Sequence, residues 1–126
     1  MSEKLNNKIV EILKDLETNI AEIRSSFVCS TVGLPIASAS PELDLTKLAA
    51  ETSAILTVSE HTAHDSGSGS INNIIIQAED NILVITSAST EAVLSVKADK
   101  DVKLGLLLYD IKKTAKRLEK VFNENM

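Results

Sequence analysis

The chain has 126 residues and a mass of 13.6 kDa, enough for one domain with one hydrophobic core, and its 44% apolar and 25% charged residues are the balance of a globular protein. Eighteen acids against thirteen bases give a formal net charge of −5, and the only aromatics are Phe27, Tyr109 and Phe122; phosphate neutralisation and base stacking, and with them nucleic-acid binding, are disfavoured. The one cysteine, Cys29, excludes an intrachain disulfide framework and a cysteine-rich zinc centre, and the lack of a long apolar run or apolar signal core makes a cytoplasmic protein without membrane insertion the expectation.

Leu5, Ile9, Ile12, Leu13, Leu16, Ile20 and Ile23 recur at helical spacing, so a first helix is expected over about residues 3–22, capped by Ser2. Phe27 to Val32 then reads as a strand, Gly33-Leu34-Pro35 as a tight turn, and Ile36 to Ala39 as its hairpin partner, stopped by Ser40-Pro41. Helical spacing returns from Leu43 to about His64, with Asp44 or Ser40 as the cap, and Ser66-Gly67-Ser68-Gly69-Ser70 ends it as a flexible connection.

Three strands follow, Ile71–Ala78, Ile82–Ser87 and Ala92–Lys97, joined by short polar spacers that suit antiparallel hairpins. Ile82 and Val84 point one way, Leu83 and Ile85 the other, so the sheet is apolar on both faces and needs cover on both. A last helix carries Val102, Leu104, Leu106, Leu107, Leu108, Ile111, Leu118 and Phe122 on one side and Lys112, Lys113, Lys116, Arg117 and Lys120 on the other. Leu106, Leu107, Leu108 and Ile111 are expected to anchor it, with Gly105 as a close-packing point. The order α-β-β-α-β-β-β-α predicts an α/β (α+β) sandwich: one five-stranded antiparallel sheet with helices on both faces, two on one side and one on the other. Residues 1–126 are expected to form a single domain.

Little in this chain resembles catalytic machinery. His61, His64 and Asp65 share a helical turn but lack a further ligand, so a solvated helix end is the better reading than a metal site. Gly67 and Gly69 follow no strand and open no helix, which argues against a phosphate cradle. Cys29 has apolar neighbours and no base nearby, and no nucleophile–base motif occurs. The lysine face of the last helix reads as a solvated surface. We expect no enzyme and no cofactor.

The second helix is less ordinary. Opposite its apolar stripe run Thr46, Ala50, Ser53, Thr57, His61 and His64, flanked by Ala49 and Ala54, where a solvated face would carry long charged side chains. Such small residues either fit a crowded site within the domain or let a second chain's helix approach closely; contact with a second chain is the reading favoured. Charge is uneven too: residues 27–96 hold eight acids and only Lys47 as a base, a net −7, whereas residues 97–126 hold five acids and eight bases, a net +3.

The element order and several local patterns together resemble the roadblock (dynein light chain, LC-seven) family over roughly residues 23–120: Gly33-Leu34-Pro35-Ile36-Ala37 its first hairpin, Leu48 to Leu56 its Ala-rich central helix, Ile74-Ile75-Ile76, Ile82 to Ile85 and Val93 to Val96 its later strands, and Leu104 to Leu108 the start of its last helix. Val32 departs from the pattern, since many members carry an acid before the hairpin glycine. The resemblance implies dimers in which third strands pair edge to edge and central helices pack side by side. It also implies binding and regulation of small Ras-like GTPases, or a scaffold role without effect on GTP hydrolysis. On that basis a homodimer interface is expected from Thr46, Ala50, Ser53, Ala54, Thr57 and His61 with Ile71, Asn73 and Ile75, and a GTPase surface from Glu42, Asp44, Glu51, Glu60 and Asp65. A small-molecule sensor is a third class, opposed by the absence of a visible set of convergent polar groups.

Overall fold

The structure, a computed structural model, describes residues 2–125. Ser2 caps the first helix, accepting from the Leu5 N–H at 3.1 Å, and α1 (Glu3–Asn19) turns Ile9, Ile12, Leu13 and Leu16 inward. The helix stops three residues before the expected end. Ile20 is its C-cap and Ile23 opens β1 (Ile23–Ser30), yet both remain buried in the same core, which is why their spacing reads as helical. The strand therefore starts four residues before Phe27, and Thr31 and Val32 belong to the turn after it.

The remaining elements are β2 (Pro35–Ser38), α2 (Leu45–Asp65), β3 (Ile74–Gln77), β4 (Asn81–Ser87), β5 (Ala92–Asp99) and α3 (Leu104–Glu124). All strand pairs are antiparallel, in the spatial order β2-β1-β5-β4-β3. The expected sandwich is what forms. Val28, Val84, Leu94 and Val96 project with α1 and α3 into one core, whereas Phe27, Cys29, Ile85 and Val93 meet Ala49 and Leu56 of α2 on the other face. Because side chains alternate along a strand, adjacent residues serve opposite layers, and burial on both sides explains the apolar runs.

Within α3, Leu107 and Ile111 anchor as expected and Leu108 is half-buried, but Leu106 is 52% exposed. Gly105 also departs from expectation: a Cβ there would meet nothing within 4 Å, so it is an open position near the helix start rather than a packing point. The glycine that matters follows α2. Gly67 has φ +73°, its N–H bonds the His64 carbonyl at 3.0 Å, and the Ser68 N–H bonds the Ala63 carbonyl at 2.8 Å. This pair of bonds is the Schellman stop, so the Gly-Ser segment begins as a built helix cap. Gly67→Ala should destabilise the protein by about 1–2 kcal/mol, measured by thermal melting, through the left-handed backbone alone, since the added methyl meets no neighbour.

The two sheet edges are treated differently. At β2, Pro35 lacks an N–H and Asn6 of α1 donates its side-chain amide to the Ile36 carbonyl at 3.0 Å. At β3, only the inner edge is paired, with β4, and the strand holds no proline or charged residue. It is shorter than the expected Ile71–Ala78: Ile71 and Asn73 precede it, and the Ala78 N–H closes the next turn on the Asn81 carbonyl at 2.9 Å.

Candidate functional site

α2 begins at Asp44, whose carboxylate accepts from the Lys47 N–H at 3.3 Å. Its 21 residues span about 30 Å at 1.5 Å per residue. Ala49, Thr52 and Leu56 face the sheet, so Thr46, Ala50, Ala54, Thr57 and His61 are left on the exposed side. Ser53 is half-buried and donates its hydroxyl to the Thr31 carbonyl at 2.7 Å.

The β1–β2 turn rests against this helix. Gly33 has φ +88°, and a Cβ on it would sit 3.4 Å from the Ala50 Cα and 3.5 Å from the Ser53 Cβ. Ala50 and Ser53 are small at least in part because the turn lies on them, which is the crowding explanation weighed from the sequence. Ala54, Thr57 and His61 are exposed and form a ridge without acidic residues.

Three exposed apolar side chains enlarge that surface and were not assigned to it from the sequence. Val32 is 78%, Leu34 63% and Val58 65% exposed. The signal for Val32 was its place beside a turn glycine, where a polar residue is the usual choice. Val58 was hidden among small residues.

Glu42, Asp44, Glu51, Glu60 and Asp65 are all exposed, distributed from one end of α2 to the other. Asp44 is committed to the helix start and Asp65 lies beside His64, so Glu42, Glu51 and Glu60 are the carboxylates in no ion pair or cap among the described residues. Ile75 does not join the α2 surface. It pairs across β4 with Val84, whose side chain lies in the α1/α3 core, so Ile75 looks to the face opposite α2. Ile71 is half-buried against the core beneath α2, and Asn73 is exposed just before the strand. The interface residues named from the sequence thus fall on two surfaces: an outward ridge of α2 and the free edge of β3.

His61 and His64 are exposed, His64 lies 3.4 Å from the Asp65 carboxylate, and no three metal-binding groups cluster among the described residues. Cys29 is fully buried, and burial pushes its thiol from 9.0 up to about 11, so it stays protonated and inert at neutral pH. No helix among the described residues is long and apolar enough to cross a membrane.

The family model for the Roadblock/LC7 domain matches residues 9–98, from within α1 to the end of β5. The uncharacterized protein MJ1340 of Methanocaldococcus jannaschii is 33% identical over 109 residues, 85% of this chain and 95% of that protein. Among solved structures, MglB of Myxococcus xanthus superposes with a TM-score of 0.84 at 27% identity, covering 93% of this chain and 96% of its own. The gliding protein MglB of Thermus thermophilus superposes with a TM-score of 0.86 at 19% identity, covering 98% and 95%.

Proposed function

This chain belongs to the Roadblock/LC7 domain family, and from that premise we propose that it is a non-catalytic, cytoplasmic, homodimeric module that binds a small Ras-like GTPase and regulates or anchors it. The observation that carries this reading is the surface left unsatisfied by one chain. β3 is an unguarded sheet edge in a protein whose other edge is capped, and the outer face of α2 is a ridge of small and apolar residues. One two-fold axis would pair β3 with its twin and bring the central helices of the two chains near each other, each chain using the same patches. The exposed carboxylates Glu42, Glu51, Glu60 and Asp65 then rim a surface that suits a partner rich in Lys and Arg and repels phosphate polymers. GTPase binding rests on family membership, and in this reading any effect on hydrolysis acts through the partner's own site.

Light scattering at micromolar concentration should give twice the 13.6 kDa chain mass. Ile75→Lys with Ala54→Arg should return it to one chain without unfolding it, because both side chains are exposed. A wild-type mass of one chain would count against the dimer. Titration of a Ras-like GTPase in both nucleotide states separates regulation from anchoring: a changed hydrolysis or exchange rate marks regulation, and binding with unchanged rates marks the scaffold alternative.

A further inference from the structure

The flank of α2 away from the β1–β2 turn roofs a groove of about 190 Å³ over the half of the sheet where β1 and β4 begin. Its floor has two strips. Along β1 and β5 lie Ser25, Ser95 and Lys97 with Phe27, in the cross-strand register Ser25–Lys97 and Phe27–Ser95. Along β4 and β3 lie Leu83, Ile85 and Ile76, with Leu83 opposite Lys97 and Ile85 opposite Ser95. Leu48, Thr52 and Ile55 form the roof, and exposed Glu51 stands at its rim.

The polar side chains here belong to largely buried residues but keep their hydroxyls open to the groove. Ser25, Thr52 and Ser95 are 7%, 5% and 4% exposed, and none of their hydroxyls makes a hydrogen bond among the described residues. By contrast, Thr57 and Thr62 on the same helix each donate to the carbonyl four residues back, at 3.0 and 2.9 Å. No fully shielded side-chain polar atom lacks a partner among the described residues, so these hydroxyls open onto the groove. Lys97 is half-buried and in no ion pair among the described residues. A set of hydroxyl donors without a partner in the chain, open to an apolar slot, is what a polar-headed guest would complete.

We propose that this groove binds a small monocarboxylate with a compact apolar body. Its carboxylate lies over Lys97 with the Ser25 and Ser95 hydroxyls donating to it, and its alkyl part lies on Leu83 and Ile76 beneath Leu48 and Ile55. The cation and hydroxyl donors select an anion. Glu51 at the rim disfavours a second negative charge. A groove of about 190 Å³ suits a guest with a short branched or straight chain. The site shares only Glu51 with the proposed GTPase surface, and its donors Ser25, Ser95 and Lys97 lie on the sheet beneath, so the proposal does not rest on GTPase binding.

The test is a titration of the labelled full chain with 4-methylpentanoate, followed by amide NMR. Saturable shifts should centre on Ser25, Ser95 and Lys97, with dissociation in the range of about 0.1–5 mM expected for so few atoms. Lys97→Met should weaken binding about tenfold, as should replacing the acid by 4-methylpentan-1-ol, which keeps the body and loses the charge. Ser95→Leu should abolish binding by filling the slot; where that variant fails to fold, Ile55→Trp from the half-buried roof replaces it. No saturable shift up to about 10 mM, or equal affinity in Lys97→Met, would overturn the proposal. So would a second copy of the chain as occupant, seen as loss of two-chain mass in Ser95→Leu together with no response to the acid.

Discussion

Leu107→Ala should cost about 2–5 kcal/mol, whereas Leu106→Ala, one residue away, should cost no more than about 0.5 kcal/mol. Leu107 is 0% exposed and sits in the α1/α3 core with Ile111 and Leu118, so truncation leaves a void walled by both helices and the sheet. Leu106 points to solvent and loses few contacts. A domain of this size holds roughly 5–15 kcal/mol in all, so the first variant forfeits a large share of its stability and the second almost none. Urea unfolding of the two variants beside wild type measures the difference in midpoint. Equal costs would mean that α3 is rotated about its axis from the orientation described.

That pair of leucines also shows where sequence reading reaches its limit. A run of three leucines at residues 106–108 marks an anchored helix without saying which of the three faces inward, because the turn preceding α3 sets the phase. The same ambiguity covers Gly105, whose neighbours depend on that phase. The sheet was easier to read. Ile82 and Val84 against Leu83 and Ile85 reveal two covered faces directly, because strand alternation leaves no freedom of phase. Boundaries suffered where hydrophobicity crossed an element's end. Ile20 and Ile23 carry the helical stripe into a strand, and Ile71 extends β3 on paper although it packs beneath α2 before the strand begins. Ser25 and Ser26 hid the start of β1: Ser26 bonds Glu17 of α1, and Ser25 opens onto the groove.

The candidate surface was legible only in part, and for a physical reason. Small residues on α2 satisfy two demands at once. Ala50 and Ser53 accommodate the β1–β2 turn, whereas Ala54 and Thr57 are exposed. One row of letters cannot separate these demands, because the turn that distinguishes them is brought in by long-range topology. The groove beside α2 was invisible for a related reason. Ser25, Thr52 and Ser95 converge only through strand register and helix placement, and the sequence shows no set of convergent polar groups.

Reversing Glu51 and Glu60 to Lys should slow association with the GTPase about tenfold at low salt while leaving the homodimer intact. Both carboxylates are exposed, and neither is in an ion pair or helix cap among the described residues, so their replacement breaks no structural contact. Asp44 is unsuitable for the same test, because it caps α2 and its loss would cost about 1 kcal/mol of helix stability. The charge argument is one of fields rather than contacts. The middle of the chain is net −7, a dimer doubles it, and a partner's Lys/Arg patch is steered toward it before any contact forms. Such steering is screened over about 10 Å at 0.1 M salt, so the deficit should shrink as salt rises and nearly vanish near 1 M, where the screening length is about 3 Å. Dissociation should change little, since rim charges act mainly on encounter. Stopped-flow association at several salt concentrations measures both rates. An unchanged on-rate in the double variant would move the contact to the basic face of α3, where Lys112, Lys113, Lys116 and Lys120 are exposed and in no ion pair among the described residues, Lys113 lying 5.6 Å over the Tyr109 ring.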